Sequence, residues 1–325
     1  MAVPILWTNH GLCARPAPLT KVITVNETPL ASARIVDLLH QGRCFSFEFF
    51  PPRNDEAEAQ LRQTLAELAP LHPSFVSVTY GAGGTTRERT HDIVVDLLHT
   101  TPTPPMAHLT CAGHTEAELR AILEAYRQAG ITNILALRGD PPAELGLPPG
   151  DLAYAADLVD LVRDVGDFSV GVAAHPEGHP ASPDRRSDRR HLAHKLSRAD
   201  FAITQFFFRL DDYLSMVDDL DRLGVSRPVI PGIMPVTNLK QVQRFAALSG
   251  AEFPAELAER LEAVADDPDE VRRIGIETAA ELCQDLLDAG APGLHFYTLN
   301  RAQATKEIFT LLDLDLPQAT PLTAA

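Results

Sequence analysis

One carboxylate lies inside an aromatic stretch near the start of the sequence. Glu48 follows Phe47 and precedes Phe49 and Phe50. Burial among apolar side chains disfavours the charged form of a carboxyl group and raises its pKa, which suits a proton donor near neutral pH. Glu48 is therefore a candidate general acid, and the alternative is an ion pair with an Arg or Lys from another segment.

Further polar side chains stand at the ends of later apolar runs. Ser77–Thr86 joins hydroxyls to a glycine-rich turn that could approach a ligand closely, or could simply begin a helix. Leu137–Asp140 places an Arg and an Asp around a glycine. Gln205 stands beside two phenylalanines, where an amide suits a flat heterocycle or fixes a loop. Arg301 could receive an anionic substrate group, or could be an ordinary surface residue.

Four histidines lie close together after the fifth apolar run: His175, His179, His191 and His194. Imidazole is a common metal ligand, so a metal site is one interpretation. No nearby Asp or Cys completes a familiar ligand spacing, which weakens the interpretation as a metal site. His108 stands alone at the end of the third run, where a hydrogen-bonded core histidine is the ordinary explanation.

The elements that must position these residues alternate between short apolar runs and amphipathic stretches, which is typical of parallel strands joined by helices. Strands are predicted at Cys44–Phe50, Phe75–Tyr80, Met106–Thr110, Asn133–Arg138, Ser169–Ala174, Ala202–Phe207, Val229–Ile233 and Leu294–Thr298. The long seventh connection predicts two or three helices. Eight such units predict an α/β fold of the (β/α)8 TIM barrel type, with a doubly wound sheet as the alternative.

Length and composition limit the possible classes of protein. The 325 residues carry a formal net charge of −16, which argues against nucleic acid as a partner. Widely spaced cysteines indicate a reducing cytoplasm, and the apolar stretch at 2–7 is too short for a secretory signal or a membrane span. We expect a flexible N-terminal extension at 1–30, one catalytic barrel domain at 31–316 and a C-terminal tail at 317–325.

The sequence contains no G-x-G-x-x-G and no Walker A motif, so a nucleotide cofactor would have to be bound by barrel loops. In a barrel these loops lie at the carboxyl ends of the strands. An acid, an amide, aromatic rings and a cation at one such face suit a large, planar, anionic ligand.

Five motifs carry a resemblance to a known family. They are Phe47–Pro52, Val76–Ala82, Leu137–Asp140, Ala202–Phe207 and His295–Arg301. In this order, over about residues 40–315, they resemble methylenetetrahydrofolate reductase in its bacterial form, which consists of the catalytic domain alone. The resemblance implies an FAD-containing barrel in which NADH or NADPH supplies hydride to reduce 5,10-methylenetetrahydrofolate to 5-methyltetrahydrofolate for methionine synthesis.

The resemblance also implies residue roles. Glu48 matches the acid that helps open the imidazolidine ring of the folate to an iminium, and Asp140 matches a second catalytic carboxylate near flavin and folate. The implied substrate-binding residues are Gln205, Phe245, Tyr297 and Arg301. The implied flavin-binding residues are Thr79, Tyr80, His108, Leu137, Arg138, Gly139, Asp140, Tyr154, His175, His179, Asp188, His191 and Lys195.

One segment departs from the family pattern. His194–Asp200 is one residue shorter than in many relatives and lacks glycine, and His175 stands where an aromatic residue is common. One hypothesis is therefore flavin-free transfer of hydride from the nicotinamide directly to the folate. A metal-dependent barrel hydrolase and a folate-binding protein without catalysis are further alternatives. The expected partners are folate and NAD(P)H, with no membrane and a possible homo-oligomer.

Overall fold

The computed structural model of the protein describes residues 30–80, 84–140, 146, 149–312 and 314. The predicted extension, apart from Leu30, and the predicted tail lie outside these residues, as do positions 81–83 of the glycine-rich turn. Eight parallel strands form a closed barrel in chain order. They are β1 (Cys44–Phe49), β2 (Phe75–Val78), β3 (Pro105–Thr110), β4 (Asn133–Leu137), β5 (Ser169–Ala174), β6 (Phe201–Phe206), β7 (Val229–Ile233) and β8 (Gly293–Tyr297).

The predicted TIM barrel is confirmed, and the doubly wound alternative is wrong because β8 pairs with β1 and closes the sheet. The helices are α1 (Ile35–Gln41), α2 (Asp55–Leu68), α3 (Gly84–Thr100), α4 (Glu116–Ala129), α5 (Ala155–Val165), α6 (Arg185–Leu196), α7 (Leu210–Arg222), α8 (Leu239–Ser249), α9 (Ala255–Glu262), α10 (Pro268–Asp288) and α11 (Gln303–Leu311). The long seventh connection thus holds three helices. Within the described part of the chain, no helix has the length and apolar character needed to cross a membrane.

Alternation along β1 separates its side chains between two layers. Phe45 and Phe47 meet Phe309 of α11 at ring-centroid distances of 5.6 and 5.8 Å, so they pack in the layer between strands and helices. Successive side chains of a strand point to opposite faces. Ser46 and Glu48 accordingly lie on the inner face of the barrel.

Helix α1 closes the amino-terminal end of the barrel. Ile35 is fully buried and packs with Phe75, Met106 and other residues of the barrel interior. Two backbone N–H groups at the start of α1 donate to side chains of neighbouring strands: Ile35 N to Asn133 Oδ1 at 2.8 Å and Val36 N to Ser169 Oγ at 3.0 Å. With this end occupied by packing, the carboxyl ends of the strands remain for a site.

Candidate active site

Glu48 lies inside the barrel beside two imidazoles. Its Oε2 is 3.3 Å from Nε2 of His295 on β8 and 3.5 Å from Nε2 of His108 on β3. The other ring nitrogen of His295, Nδ1, is 2.8 Å from Oγ of Ser46. Glu48 is 8% exposed and His295 is fully buried. Three strands therefore bring one carboxylate, two imidazoles and a hydroxyl into a continuous polar cluster.

The expectation that Glu48 is buried is confirmed, but the expected apolar surroundings are wrong. The phenylalanines that flank Glu48 in sequence point to the opposite face of β1, as Phe47 does by packing on Phe309. On its own face the carboxyl group meets the imidazoles of His108 and His295. The relevant neighbours come from other strands, not from adjacent positions.

Burial controls the protonation of the groups around Glu48. It lowers the pKa of His108 to about 4, although the charge of Glu48 offsets part of that effect. His108 is therefore a neutral imidazole at neutral pH. Burial and the Glu48 charge together hold the pKa of Tyr297 well above its usual value, so this phenol stays protonated. Its hydroxyl donates to the carbonyl of Thr204 at 2.6 Å.

Ser46 and His295 were not predicted as site residues from the sequence. The signal that could have found them is the period of two along a strand. Ser46 precedes Glu48 by two positions, and His295 precedes Tyr297 by two positions. Each pair therefore shares a face, and the β1–β8 pairing places Ser46 opposite His295.

A second cluster, which we call the rim cluster, lies where β4, β5 and α6 meet. It consists of Arg138, His175, His179, Asp188 and Lys195. The rings of His175 and His179 contact each other edge to face at 4.6 Å. Burial, the second imidazole and the nearby cations lower the pKa of His175 to about 3. Burial also lowers the pKa of Lys195, to about 8, against the opposing effect of Asp188.

Two rim residues hold contacts within the protein. Lys195 Nζ donates to the carbonyl of Ala173 at 2.6 Å. Asp188 Oδ2 forms an ion pair with Arg189 at 3.0 Å. Arg189 is itself buried and donates to the backbone carbonyl of His175 at 2.8 Å. This hydrogen bond fixes the segment after β5 against α6.

The rim cluster fits the phosphate portion of an anionic cofactor such as FAD. Arg138 and Lys195 both act electrostatically on His179, against the one carboxylate of Asp188. A surplus of cations at one point of a chain with net charge −16 attracts and stabilises phosphate groups. Gly139 beside Arg138 has a positive φ of 84°, and a Cβ there would lie 2.9 Å from Cβ of Thr110. The turn after β4 therefore packs closely on β3.

The other predicted flavin-binding residues fall into two groups. Thr79 and Tyr80 follow β2, where the Tyr80 hydroxyl lies 2.9 Å from Nε2 of His114. Leu137 ends β4 beside the rim cluster. In contrast, Tyr154 is 65% exposed at the start of α5, and His191 is exposed on α6. The described contacts do not join these two residues to the rim cluster, and the flavin-binding roles of all the predicted residues stay predictions.

The predicted substrate residues Gln205, Phe245 and Arg301, and the predicted catalytic Asp140, lie on different parts of the chain with different surroundings. Gln205 is the second-last residue of β6, and its Oε1 accepts a hydrogen bond from the backbone N–H of Phe206 at 3.0 Å. Phe245 is half-buried on α8, and Arg301 is exposed after β8. Asp140 is exposed after β4, next to residues outside the described ranges. The described contacts join none of these four to Glu48.

The four histidines behind the metal hypothesis do not assemble. His175 and His179 are in contact, whereas His191 and His194 are exposed on α6. Among the described residues, no group of three or more His, Cys, Asp or Glu side chains is arranged to hold a metal ion.

Comparison with known proteins points to one family. The family model of methylenetetrahydrofolate reductase matches residues 34–313. The chain is 41% identical over 270 residues to 5,10-methylenetetrahydrofolate reductase of Pectobacterium carotovorum subsp. carotovorum, covering 82% of this chain and 90% of that protein. It is 41% identical over 264 residues to the protein of the same name from Escherichia coli (strain K12), covering 81% of this chain and 88% of the relative.

A plant relative and one solved structure extend the comparison. Methylenetetrahydrofolate reductase (NADH) 1 of Arabidopsis thaliana is 37% identical over 283 residues, which are 82% of this chain and 48% of that protein. An uncharacterized Clostridium thermocellum protein that binds two copies of 5-methyl-5,6,7,8-tetrahydrofolic acid aligns with a TM-score of 0.60 and 12% identity, covering 85% of this chain and 96% of that one. This last likeness concerns the fold alone. With the family model spanning the barrel and relatives at 41% identity over most of their length, the chain belongs to the methylenetetrahydrofolate reductase family.

Proposed function

We propose that the protein reduces 5,10-methylenetetrahydrofolate to 5-methyltetrahydrofolate with hydride from NADH or NADPH through bound FAD. The observation that carries the proposal is the buried Glu48, which lies inside a barrel of this family with His108 and His295 at one of its oxygens. A general acid inside a folate-reducing site matches the chemistry that the family name describes.

The chain's own residues would move one proton and hold the ligands. Both imidazoles contact Oε2 of Glu48, so the protonated form of Glu48 would donate from Oε1 to a ring nitrogen of the folate. Loss of that proton leaves a carboxylate that either imidazole can stabilise by donating an N–H. Protonation opens the five-membered ring of the folate and leaves a methylene carbon that accepts hydride.

The cofactor assignment rests on the rim cluster. Arg138 and Lys195 would hold the phosphates of FAD, with His179 beside them. Bound FAD supplies hydride transfer between the nicotinamide and the folate. Gln205, Phe245 and Arg301 are proposed to orient the folate at the mouth of the barrel.

The visible absorbance spectrum of the freshly purified protein tests the cofactor. We expect a flavin spectrum that bleaches when NADH or NADPH is added without oxygen, and that returns when 5,10-methylenetetrahydrofolate is supplied. A protein that neither bleaches nor consumes NAD(P)H in the presence of the folate would overturn the proposed function.

Direct hydride transfer without flavin is the second candidate, and one observation favours it. Lys195 and Asp188, both assigned to flavin, are already engaged by Ala173 and Arg189. This candidate predicts a colourless protein that still oxidises NAD(P)H when the folate is present.

A variant of Glu48 separates an enzyme from a folate-binding protein without catalysis. Glu48→Gln keeps the size of the side chain but removes the carboxyl proton, so we expect folate binding within a few-fold of wild type. Turnover should fall by about 100-fold or more, the contribution typical of a general acid. The measurement is kcat together with the Kd for 5-methyltetrahydrofolate by calorimetry. Unchanged turnover would show that Glu48 is not the proton donor.

A further inference from the structure

The pairing between β1 and β8 ends at Glu48 and Tyr297, but hydrogen bonds between the two segments continue past that point. Thr298 Oγ1 donates to the carbonyl of Glu48 at 2.6 Å. The Asn300 side chain then binds both backbone groups of Phe50: Oδ1 accepts from its N–H at 2.8 Å, and Nδ2 donates to its carbonyl at 3.0 Å. Side chains therefore extend the contact between the first and last strands by two residues.

The turn that presents Asn300 has an uncommon backbone. Leu299 and Asn300 have φ values of 52° and 56°, in the left-handed region. Residues with a Cβ rarely adopt this region, and asparagine tolerates it better than most. The turn is held by hydrogen bonds from Thr64 Oγ1 to the Asn300 carbonyl at 2.9 Å and from Asn300 N to Thr298 Oγ1 at 3.2 Å. An unfavourable conformation persists where surrounding contacts determine it in this way.

We propose that Asn300 is a positioning residue, which fixes the acid Glu48 relative to the cation Arg301. The role rests on the proposed function, in which Glu48 protonates the folate and Arg301 binds it. Arg301 directly follows Asn300, and its backbone N–H donates to the carbonyl of Thr298 at 3.0 Å. The same turn thus carries the cation and binds the carbonyl of Glu48 and both backbone groups of Phe50.

The physical reason is the sensitivity of a reaction to the placement of its groups. A proton donor and a substrate-binding cation act together only when their separation matches the substrate, and a misplacement of about 1 Å can cost about 100-fold in rate. Asn300 limits such movement because its two hydrogen bonds to Phe50 fix the position and the direction of the backbone that follows Glu48.

Asn300→Gly isolates the hydrogen bonds from the backbone conformation. Glycine adopts the left-handed region freely, so the turn is retained while both bonds to Phe50 are lost. We expect kcat/KM for 5,10-methylenetetrahydrofolate to fall by about 10- to 100-fold. The matched control is His72→Gly, which changes another left-handed residue, φ 48°, in the turn before β2. That control should keep wild-type folate kinetics.

Asn300→Asp gives a signature that a loss of stability cannot imitate. The introduced carboxylate can still accept from the Phe50 N–H but cannot donate to the Phe50 carbonyl. Protonation restores an O–H donor, so the ratio of variant to wild-type kcat/KM should rise as the pH is lowered towards the pKa of that carboxyl group. The corresponding ratio for Asn300→Gly should stay constant with pH. The same flat ratio for both variants would overturn the proposal.

Hydrogen exchange of the Phe50 amide in the full chain provides a readout that does not depend on activity. Exchange should be faster in Asn300→Gly than in wild type or His72→Gly. Unchanged exchange, or faster exchange with unchanged folate kinetics, contradicts the positioning role while the proposed function stands. If the wild-type chain does not reduce the folate, the proposed function is wrong and the positioning role of Asn300 is wrong with it. If the wild type is active, only the positioning role is tested by the variants, so the two failures are distinguished.

Discussion

At the scale of single residues, the neutral imidazole of His108 links the site to the stability of the protein. Burial lowers its pKa from 6.5 to about 4. Between these two values the unfolded chain binds a proton that the folded chain does not, so the free energy of unfolding falls as the pH decreases through this window. Above the upper value both states are neutral at this residue, and its full contribution is present.

Replacing His108 should flatten that pH dependence. A shift of one pKa unit corresponds to about 1.4 kcal/mol. The titration of His108 should therefore lower the free energy of unfolding by about 2 kcal/mol between about pH 7.5 and pH 5. His108→Gln removes this titration, and urea unfolding at the two pH values measures the change. His72→Gln is the control, since His72 is exposed and should leave the wild-type difference intact. Equal pH dependence in wild type and His108→Gln would show that His108 is not the titrating group.

The residue-level chemistry was only partly predictable from sequence. Glu48 stood out because a carboxylate among phenylalanines is unusual, and its burial is confirmed. Its contact with His295 was not predicted because the two residues lie on different strands and meet only when β8 closes on β1. Asn300 gave no signal at all, since its role depends on a left-handed backbone and on contact with Phe50.

At the scale of elements, α10 is fixed against the segment after β7 by the absence of a side chain at Gly275. A Cβ at this position would lie 1.8 Å from the backbone oxygen of Val236 and 2.9 Å from its Cβ. A backbone atom cannot move aside as the end of a flexible side chain can. The helix must therefore shift if any side chain is added there.

Gly275→Ala sets helix propensity against this steric conflict. Alanine favours a helix over glycine by about 0.5–1 kcal/mol, whereas overpacking a core costs about 1–3 kcal/mol. We expect a net loss of about 1–2 kcal/mol in the free energy of unfolding, measured by urea denaturation. Gly42→Ala is the matched control, because a Cβ there meets nothing within 4 Å. A stabilised Gly275→Ala would show that the propensity effect dominates.

The elements themselves were largely predictable. The predicted strand ends differ from the observed ones by at most two residues, because short apolar runs bounded by Gly, Pro and polar residues are distinctive. The seventh connection holds three helices, α8, α9 and α10, which agrees with the prediction of two or three. The turn after β8 was not predictable, since the residue types in Thr298–Arg301 do not indicate two successive residues with a left-handed backbone.

At the scale of the whole molecule, the described barrel holds a complete set of strands and the proposed acid. The family match also begins at residue 34. We therefore expect removal of residues 1–29 to leave kcat/KM for the folate within about twofold of wild type, as for changes remote from a binding site. Steady-state kinetics of the truncated and full chains make the comparison. A large loss on truncation would show that these residues contribute to the site.

The closure of the barrel has a consequence for biosynthesis. Glu48 and His295 are separated by 247 positions in the chain and belong to the first and last strands. A nascent chain leaves the ribosome amino terminus first, so β1 has an unpaired edge until β8 has been translated. The carboxylate gains its imidazole on β8 only when the chain has been made as far as Tyr297. A transcript cut short before β8 therefore yields a product without an assembled centre, and synthesis through β8 is itself a condition for chemistry.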